Sequence, residues 1–282
     1  MVRTLTGILI LMVGTAHGQV RFTPNKGQWP DHVHHRAEVR GGGIQLETSG
    51  WTCWQWQPHG NGPMSNGHRR SARQGILWNA ELIGAQPRPE PEWQAGEVDP
   101  DRSNFYVSID PDQWAEGVQS AGRIQADDLW EGVSMRWRST GAGNAKFEFT
   151  VAPGADPHHI AWRYHGVQPI ADEDGRLRLQ HAKHDPSSGF SAHLEPPFAY
   201  QLRKDGHMTT VPCGYIVDGQ EIRLSYGAFD PALPLVVDPE IVFASYIGAT
   251  GDNWGTTACN GPDAALVAAS IVFAPPALVY YR

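Results

Sequence analysis

Charged residues are scarce in this sequence, and they form no basic run. They make up 18% of its 282 residues, and the formal net charge at neutral pH is −8. Nucleic acids and anionic membranes attract chains on which basic charge is concentrated. The sequence therefore excludes nucleic-acid binding as a function class.

Cysteine is scarce as well. The three cysteines, Cys53, Cys213 and Cys259, lie far apart and do not have the spacing of a metal site. A chain of this length buries a large core without disulfides. In an exported protein one pair can still oxidise, and Cys53 with Cys213 is the candidate disulfide.

The motifs that usually carry catalysis are missing. Gly189–His193 lacks the second glycine of a Gly-x-Ser-x-Gly elbow. No phosphate-binding glycine loop is present, and no histidine pair has the helical spacing and partner Glu of a hydrolytic zinc site. We predict no catalytic residue, no metal site and no cofactor. A hydrolase whose carboxylates converge in a cleft stays open as a third functional hypothesis.

The N-terminus has the pattern of a secretory signal peptide. Arg3 precedes an uncharged run, Thr4–Ala16, that is too short to cross a bilayer as a helix. Ala16 and Gly18 are small residues at the −3 and −1 positions of a cut before Gln19. We predict a signal peptide at residues 1–18 and export of the mature chain to the cell surface or beyond. Removal of this segment takes away Arg3 and changes the formal net charge to −9.

Short alternating runs of apolar residues predict an all-β fold. In Lys146–Val151 every second side chain is apolar, which is typical of a half-buried strand. Similar runs occur at Gly43–Glu47, Gly75–Ile83, Val133–Arg138, Ile160–Tyr164, Arg176–Gln180, Gly214–Val217 and Glu221–Tyr226. Asp-Gly pairs, which favour hairpin turns, separate several of them at Asp174-Gly175, Asp205-Gly206 and Asp218-Gly219. We expect an antiparallel β-sandwich or meander, with a helical turn or two near Asp112–Gly117 only.

Glycine- and proline-rich stretches divide the chain. We predict loops at His59–Arg73 and Gln86–Pro100. Ala152–Pro157 interrupts two good strands and allows a boundary between two lobes. The expected organisation is a β-rich domain over residues 19–240 and a further segment over residues 241–282.

An ordered series of short motifs carries a family resemblance. It comprises Asn25–Pro30, Asn104–Tyr106, Leu129–Val133, Phe147–Pro157, Pro197–Gln201, Pro234–Pro239, Ser245–Gly248 and Gly251–Gly255. The series resembles the N-terminal domain of unknown function (DUF7948-like) that precedes SBBP-type, β-propeller-like repeats in large exported proteins. Many of these are gliding motility-associated surface proteins of Bacteroidetes. The resemblance implies an all-β extracellular domain, often in proteins sorted by type IX secretion, and it implies no enzyme.

The C-terminal segment departs from that family pattern. Tyr246–Gly255 is similar to the opening of a first repeat, yet the sequence ends at Arg282. Because one repeat cannot bury its own face, we expect residues 241–282 to be an incomplete repeat and the downstream repeats to be missing. A transmembrane anchor at Ala264–Tyr281 is the rival interpretation, and Pro275 with Pro276 weakens it.

Tryptophan is plentiful and suggests a binding surface. In an extended strand Trp54 and Trp56 share one face, opposite Trp51 and Cys53, so at least one face belongs to the core. We expect a non-catalytic structural or interaction module that meets a surface protein or a glycan, in adhesion, surface coating or motility. The alternative is a glycan-binding module whose aromatic platform comes from Trp51, Trp54 and Trp56.

Overall fold

The computed structural model describes residues 20–39, 41–56, 75–85, 93–106, 109–140, 144–181, 192–203 and 205–243, and three strands beyond them. The signal peptide, the loop at His59–Arg73 and the repeat opening at Tyr246–Gly255 lie outside the described residues. In chain order the strands are β1 Thr23–Pro24, β2 Val33–Val39, β3 Gly42–Glu47, β4 Gly50–Trp56, β5 Gly75–Leu82, β6 Gln94–Val98, β7 Ser103–Tyr106, β8 Trp114–Val118, β9 Ala121–Trp130, β10 Val133–Ser139, β11 Ala145–Val151, β12 Ala161–His165, β13 Val167–Ala171, β14 Leu177–His181, β15 Ala192–Leu194, β16 Phe198–Leu202, β17 Met208–Val211, β18 Cys213–Asp218, β19 Glu221–Tyr226, β20 Leu235–Asp238, β21 Ile241–Phe243, β22 Thr256–Asn260, β23 Leu266–Ser270 and β24 Ala277–Tyr281.

The predicted all-β antiparallel class is confirmed. Every pair of neighbouring strands is antiparallel, and each alternating run of the sequence forms a strand within a residue or two of its expected bounds. The three Asp-Gly pairs connect β13 to β14, β16 to β17 and β18 to β19, as the turn chemistry predicts.

Two local predictions need correction. The helical turn or two expected near Asp112–Gly117 is a single 3-10 turn at Pro111–Gln113, capped by the Asp110 side chain, and β8 occupies the rest of that stretch. Trp114 at the start of β8 pairs with Tyr106 of β7, and this strand pairing overrides the local helix preference. Within the predicted loop at Gln86–Pro100, β6 pairs with β9 as an edge strand.

Two large sheets face each other. Sheet I has the order β1-β2-β3-β4-β5-β12-β19-β18, and sheet II has the order β17-β16-β20-β11-β10-β9-β6. A smaller sheet, β13-β14-β15-β21, adds buried residues to the same core. The turn at residues 152–157 is where the chain passes from sheet II to sheet I, and both sheets contain strands from either side of it.

The space between sheets I and II is filled by aromatic rings. Trp51 of sheet I lies 5.6 Å from Trp137 and 5.1 Å from Phe147 of sheet II, measured between ring centroids. Trp162 of sheet I stacks on Phe149 of sheet II at 6.3 Å. All five rings are buried. Inward-facing residues of both sheets thus form one core, as in a β-sandwich.

The remaining strands form small sheets. β7 pairs with β8, and the backbones of β22, β23 and β24 form a three-stranded antiparallel sheet. Over the described part of the chain, no helix is long and apolar enough to cross a bilayer.

Candidate interaction surface

Strand β4 places its tryptophans on opposite faces of sheet I. Trp51 and Cys53 point into the core, with 1% and 0% of their surface exposed. Trp56 is 39% exposed, and Trp54 is half-buried on the same outward face. The alternation expected from the sequence therefore holds, and the core lies on the Trp51 side. Trp51 is consequently not available to a surface platform, whereas Trp54 and Trp56 are.

Two glycines bring the outward indoles down onto the sheet. A Cβ atom on Gly43 of β3 would lie 2.0 Å from Cζ2 of Trp54, so the ring of Trp54 occupies the space above that glycine. A Cβ atom on Gly75 of β5 would lie 3.0 Å from Cε3 of Trp56. Both rings therefore lie over neighbouring strands, and they present aromatic surface to solvent.

An exposed leucine extends this aromatic surface. Leu77 of β5 is the direct cross-strand partner of Trp54, and 61% of its surface is exposed. On the other side of Trp54, Gly43 pairs with Glu38 of β2. We call the surface formed by Glu38, Gly43, Trp54, Trp56 and Leu77 the tryptophan face.

A row of polar side chains runs beside the tryptophan face. Nε of Arg36 donates to Oε1 of Gln45 at 2.7 Å, and Nε2 of Gln45 donates to Oε1 of Glu47 at 2.7 Å. Nδ2 of Asn79 donates to Oγ1 of Thr52 at 3.1 Å. These bonds fix the orientation of the row, which borders the aromatic surface with ordered donors and acceptors.

Charge at the edge of the tryptophan face is balanced. Partial burial raises the pKa of Glu38, and the Arg36 guanidinium opposes that shift. Burial lowers the pKa of Arg36, and Glu38 and Glu47 act in the opposite direction. The guanidinium also lies over the ring of Trp29, 4.7 Å from its centroid, where the ring quadrupole favours a cation. The Arg36 guanidinium thus lies between the Glu38 and Glu47 carboxylates and the ring of Trp29, at the border of the tryptophan face.

The arrangement has the features of a candidate contact surface. Exposed apolar patches that are rimmed by polar residues often mark binding sites. Tryptophan is enriched among the interface residues that contribute most to binding energy. The flat indoles offer broad contact area, and the polar row offers hydrogen bonds at its margin. Both a protein partner and a sugar ring can use such a surface.

The candidate disulfide is not formed in the structure. Cys53 and Cys213 are both free thiols. They lie in the same sheet, on β4 and β18, with three strands between them. Four strand spacings amount to about 19 Å along the sheet, well beyond the ~7 Å Cα separation that a disulfide tolerates. The third cysteine, Cys259, has no described side chain.

Acidic and histidine side chains that lie close together in the sequence form local ion pairs at two described places. Asp172 and Asp174 lie at the turn of the β13–β14 hairpin, where they form ion pairs with Arg178 and Arg176 at 3.1 and 3.0 Å. His158 contacts the Asp156 carboxylate at 2.8 Å. Within the described ranges, no three His, Cys, Asp or Glu side chains come together as metal ligands.

Sequence reasoning missed Leu77, Glu38 and Gly43 as parts of the surface. Leu77 had a usable signal, because it is an apolar residue on the polar side of the alternation in β5, between buried Ile76 and Trp78. Glu38 and Gly43 join the face only through strand pairing. Their local sequence contains no sign of that pairing.

The comparisons with known proteins concern the domain that carries this surface. The family described as "Domain of unknown function (DUF7948)" matches residues 22–240, a span that includes every strand from β1 to β20. No curated protein and no solved structure matches the chain.

Proposed function

The chain belongs to the DUF7948 family, and from that premise we propose that it is a non-catalytic interaction module of a secreted bacterial cell-surface repeat protein. Its role is adhesion, surface coating or motility. The N-terminal signal pattern and the ordered sequence motifs support this proposal. The tryptophan face is the observation that carries it, because Trp56 and Leu77 expose apolar surface that the described residues of the domain leave uncovered.

The partner is a molecule of the cell surface or its surroundings that covers the tryptophan face. Truncation of a tryptophan at the centre of an interface typically costs about 2 kcal/mol or more, which corresponds to roughly thirtyfold in Kd. Loss of both outward tryptophans and of Leu77 should therefore weaken binding by well over tenfold. Binding is expected to be insensitive to apolar residues elsewhere on the domain.

The experiment compares two triple variants of the mature chain. Fluorescently labelled wild type, a face variant (W54S, W56S and L77S) and a control variant (L202S, M208S and I216S) are titrated onto intact cells of the source bacterium. The control removes side chains that are between 46% and 49% exposed on other strands. Wild type and control should bind alike, and the face variant should lose binding. Equal binding by all three chains, or no binding by the wild type, would overturn the proposal.

Glycan binding at the same face is the second candidate. It is favoured by the indole of Trp54, which occupies the space above Gly43, in the same cross-strand row as Glu38 and next to the hydrogen-bonded polar row. Protease treatment of the cells should abolish binding if the partner is a protein, and periodate oxidation should abolish it if the partner is a glycan. A glycan array on which the mature chain binds no glycan would rule out this second candidate.

A further inference from the structure

The hairpin of β7 and β8 is held to the rest of the domain by its inner face. The half-buried Phe105 of β7 meets the ring of Trp29 edge to face at 5.9 Å between centroids, and Ala115 of β8 is buried. Oδ1 of Asn104 accepts from the backbone N–H of Gly117 at 2.8 Å and ties the two strands together. The hairpin therefore has a fixed orientation, and its other face points away from the domain.

The outer face of the hairpin consists of two aromatic rings and a carboxylate. Tyr106 is the direct cross-strand partner of Trp114, and Glu116 shares the face of Trp114 because alternate side chains of β8 point the same way. The described part of the domain leaves Tyr106 55% exposed and Trp114 42% exposed. We call the surface formed by Tyr106, Trp114 and Glu116 the hairpin corner.

The geometry of the hairpin corner is defined by contacts among its three residues. The rings of Tyr106 and Trp114 lie 5.1 Å apart between centroids with 81° between their planes, so they form two walls at nearly a right angle. The Tyr106 hydroxyl donates to Oε1 of Glu116 at 2.8 Å. This bond raises the pKa of the Tyr106 phenol, so the hydroxyl keeps its proton at neutral pH. The corner thus combines two aromatic walls with a positioned negative charge.

The charge of the hairpin is of one sign. From the start of β7 to the end of β8 the sequence contains the carboxylates of Asp110, Asp112 and Glu116 and no lysine, arginine or histidine. Arg102, which precedes β7, lies beside Gly117. The faces of aromatic rings attract cations, and carboxylates form their strongest hydrogen bonds with cationic donors. The hairpin corner is therefore complementary to a positively charged group.

We propose that the hairpin corner binds an arginine side chain on a basic segment of a partner protein. A guanidinium is planar, stacks on aromatic faces and donates forked hydrogen bonds to a carboxylate, whereas an ammonium group is a compact and strongly hydrated charge. The guanidinium lies against the rings of Tyr106 and Trp114 and donates to Glu116. A carboxylate has about four acceptor positions, so Glu116 keeps its bond from Tyr106. The fully exposed Ile109, in the connection before β8, adds apolar surface for the bound segment.

The test measures binding of three short peptides to the mature chain. The first peptide alternates glycine and arginine, the second has lysine in place of arginine, and the third has citrulline, which keeps the shape of arginine without its charge. Binding is followed by the shifts of backbone amide signals in NMR titrations at low salt. We expect the arginine peptide to bind, the lysine peptide to bind more weakly and the citrulline peptide not to bind. Added salt should weaken binding, because the site is exposed.

Two variants with matched controls place the arginine at the hairpin corner. Trp114→Leu keeps an apolar side chain without the aromatic face and should weaken binding about threefold to tenfold. Its control is Trp56→Leu, at a tryptophan that is 39% exposed on the tryptophan face. Glu116→Gln keeps an acceptor for Tyr106 without the charge and should weaken binding about twofold to fivefold. Its control is Glu131→Gln, at another exposed glutamate. Both controls should match the wild type.

The outcomes separate this inference from the proposed function, on which it does not rest. Equal binding of the arginine and citrulline peptides, or no binding of the arginine peptide, would overturn it. Unchanged affinity in Trp114→Leu or in Glu116→Gln would overturn it too. If Trp56→Leu loses the peptide and Trp114→Leu keeps it, arginine binds at the tryptophan face and the hairpin corner is not the site. If Trp114→Leu loses the peptide while the face variant binds cells as the wild type does, only the proposed function is lost.

Discussion

Replacement of Trp51 by alanine should be among the most damaging single changes in the domain. Trp51 is 1% exposed and its ring contacts those of Trp137, Phe147 and Trp162 at 5.1–6.4 Å. Burial of a tryptophan removes about 150–250 Å² from water, which at ~25 cal/mol per Å² gives an upper bound of about 4–6 kcal/mol. Its Nε1 has no hydrogen-bond partner, so no bond is lost. We expect a loss of about 3–5 kcal/mol in the free energy of unfolding.

The assay is guanidinium denaturation followed by far-UV circular dichroism. The matched control is Trp56→Ala, on the same strand and 39% exposed, which should cost less than about 1 kcal/mol. Trp51→Phe keeps part of the ring contacts and should fall between the two. Equal losses for Trp51→Ala and Trp56→Ala, or a larger loss for Trp56→Ala, would refute the assignment of the two faces of β4.

Three further predictions concern buried polar groups. The Glu148 carboxylate, 2% exposed, lies 2.6 Å from the Arg136 guanidinium. Glu148→Gln should therefore lower the free energy of unfolding by about 2–3 kcal/mol in denaturation experiments. Asp172→Asn, in an exposed ion pair, should lower it by about 1 kcal/mol or less. Because burial lowers the pKa of His35 to about 4, the unfolded state binds more protons below its ordinary pKa of 6.5. Stability should thus fall by roughly 3 kcal/mol as the pH drops from about 6.5 to 4, and His35→Gln should remove that part of the slope. Burial raises the pKa of the Cys213 thiol to about 11 and that of the fully buried Cys53 thiol further still. In the folded chain a maleimide should therefore label Cys213 before Cys53, as peptide mapping would show.

The sequence predicts strands well where one face is buried. In β11 the buried Phe147, Phe149 and Val151 alternate with more polar residues, because the strand lies between a core and a surface. In β4 the same alternation separates Trp51 from Trp54 and Trp56. It could not say which of the two faces is the core, since both contain tryptophan.

Strand partners could not be predicted, because they are set by residues far away in the chain. β12 pairs with β5 and β19, and β11 pairs with β20 about 85 residues later. The same limit explains the missed edge strand β6, whose pairing with β9 is not visible in its own polar sequence. The wrong disulfide prediction has the same cause, because the order of strands in sheet I keeps Cys53 away from Cys213.

The candidate surfaces could be predicted only in part. The outward tryptophans follow from alternation, whereas Leu77 and Glu38 join them through pairing across β5, β4, β3 and β2. Phe22, just before β1, and Ala121, at the start of β9, are joined by backbone hydrogen bonds, and no local pattern indicates this contact. Residues that act together at such sites are brought together by topology.

The most direct test of the proposed function is the ratio of two dissociation constants for intact cells of the source organism. One belongs to the face variant, which lacks Trp54, Trp56 and Leu77, and the other to the control variant with substitutions at Leu202, Met208 and Ile216. The face variant should bind more than tenfold more weakly than the control. A ratio close to one would contradict it, because the tryptophan face would then contribute nothing to binding.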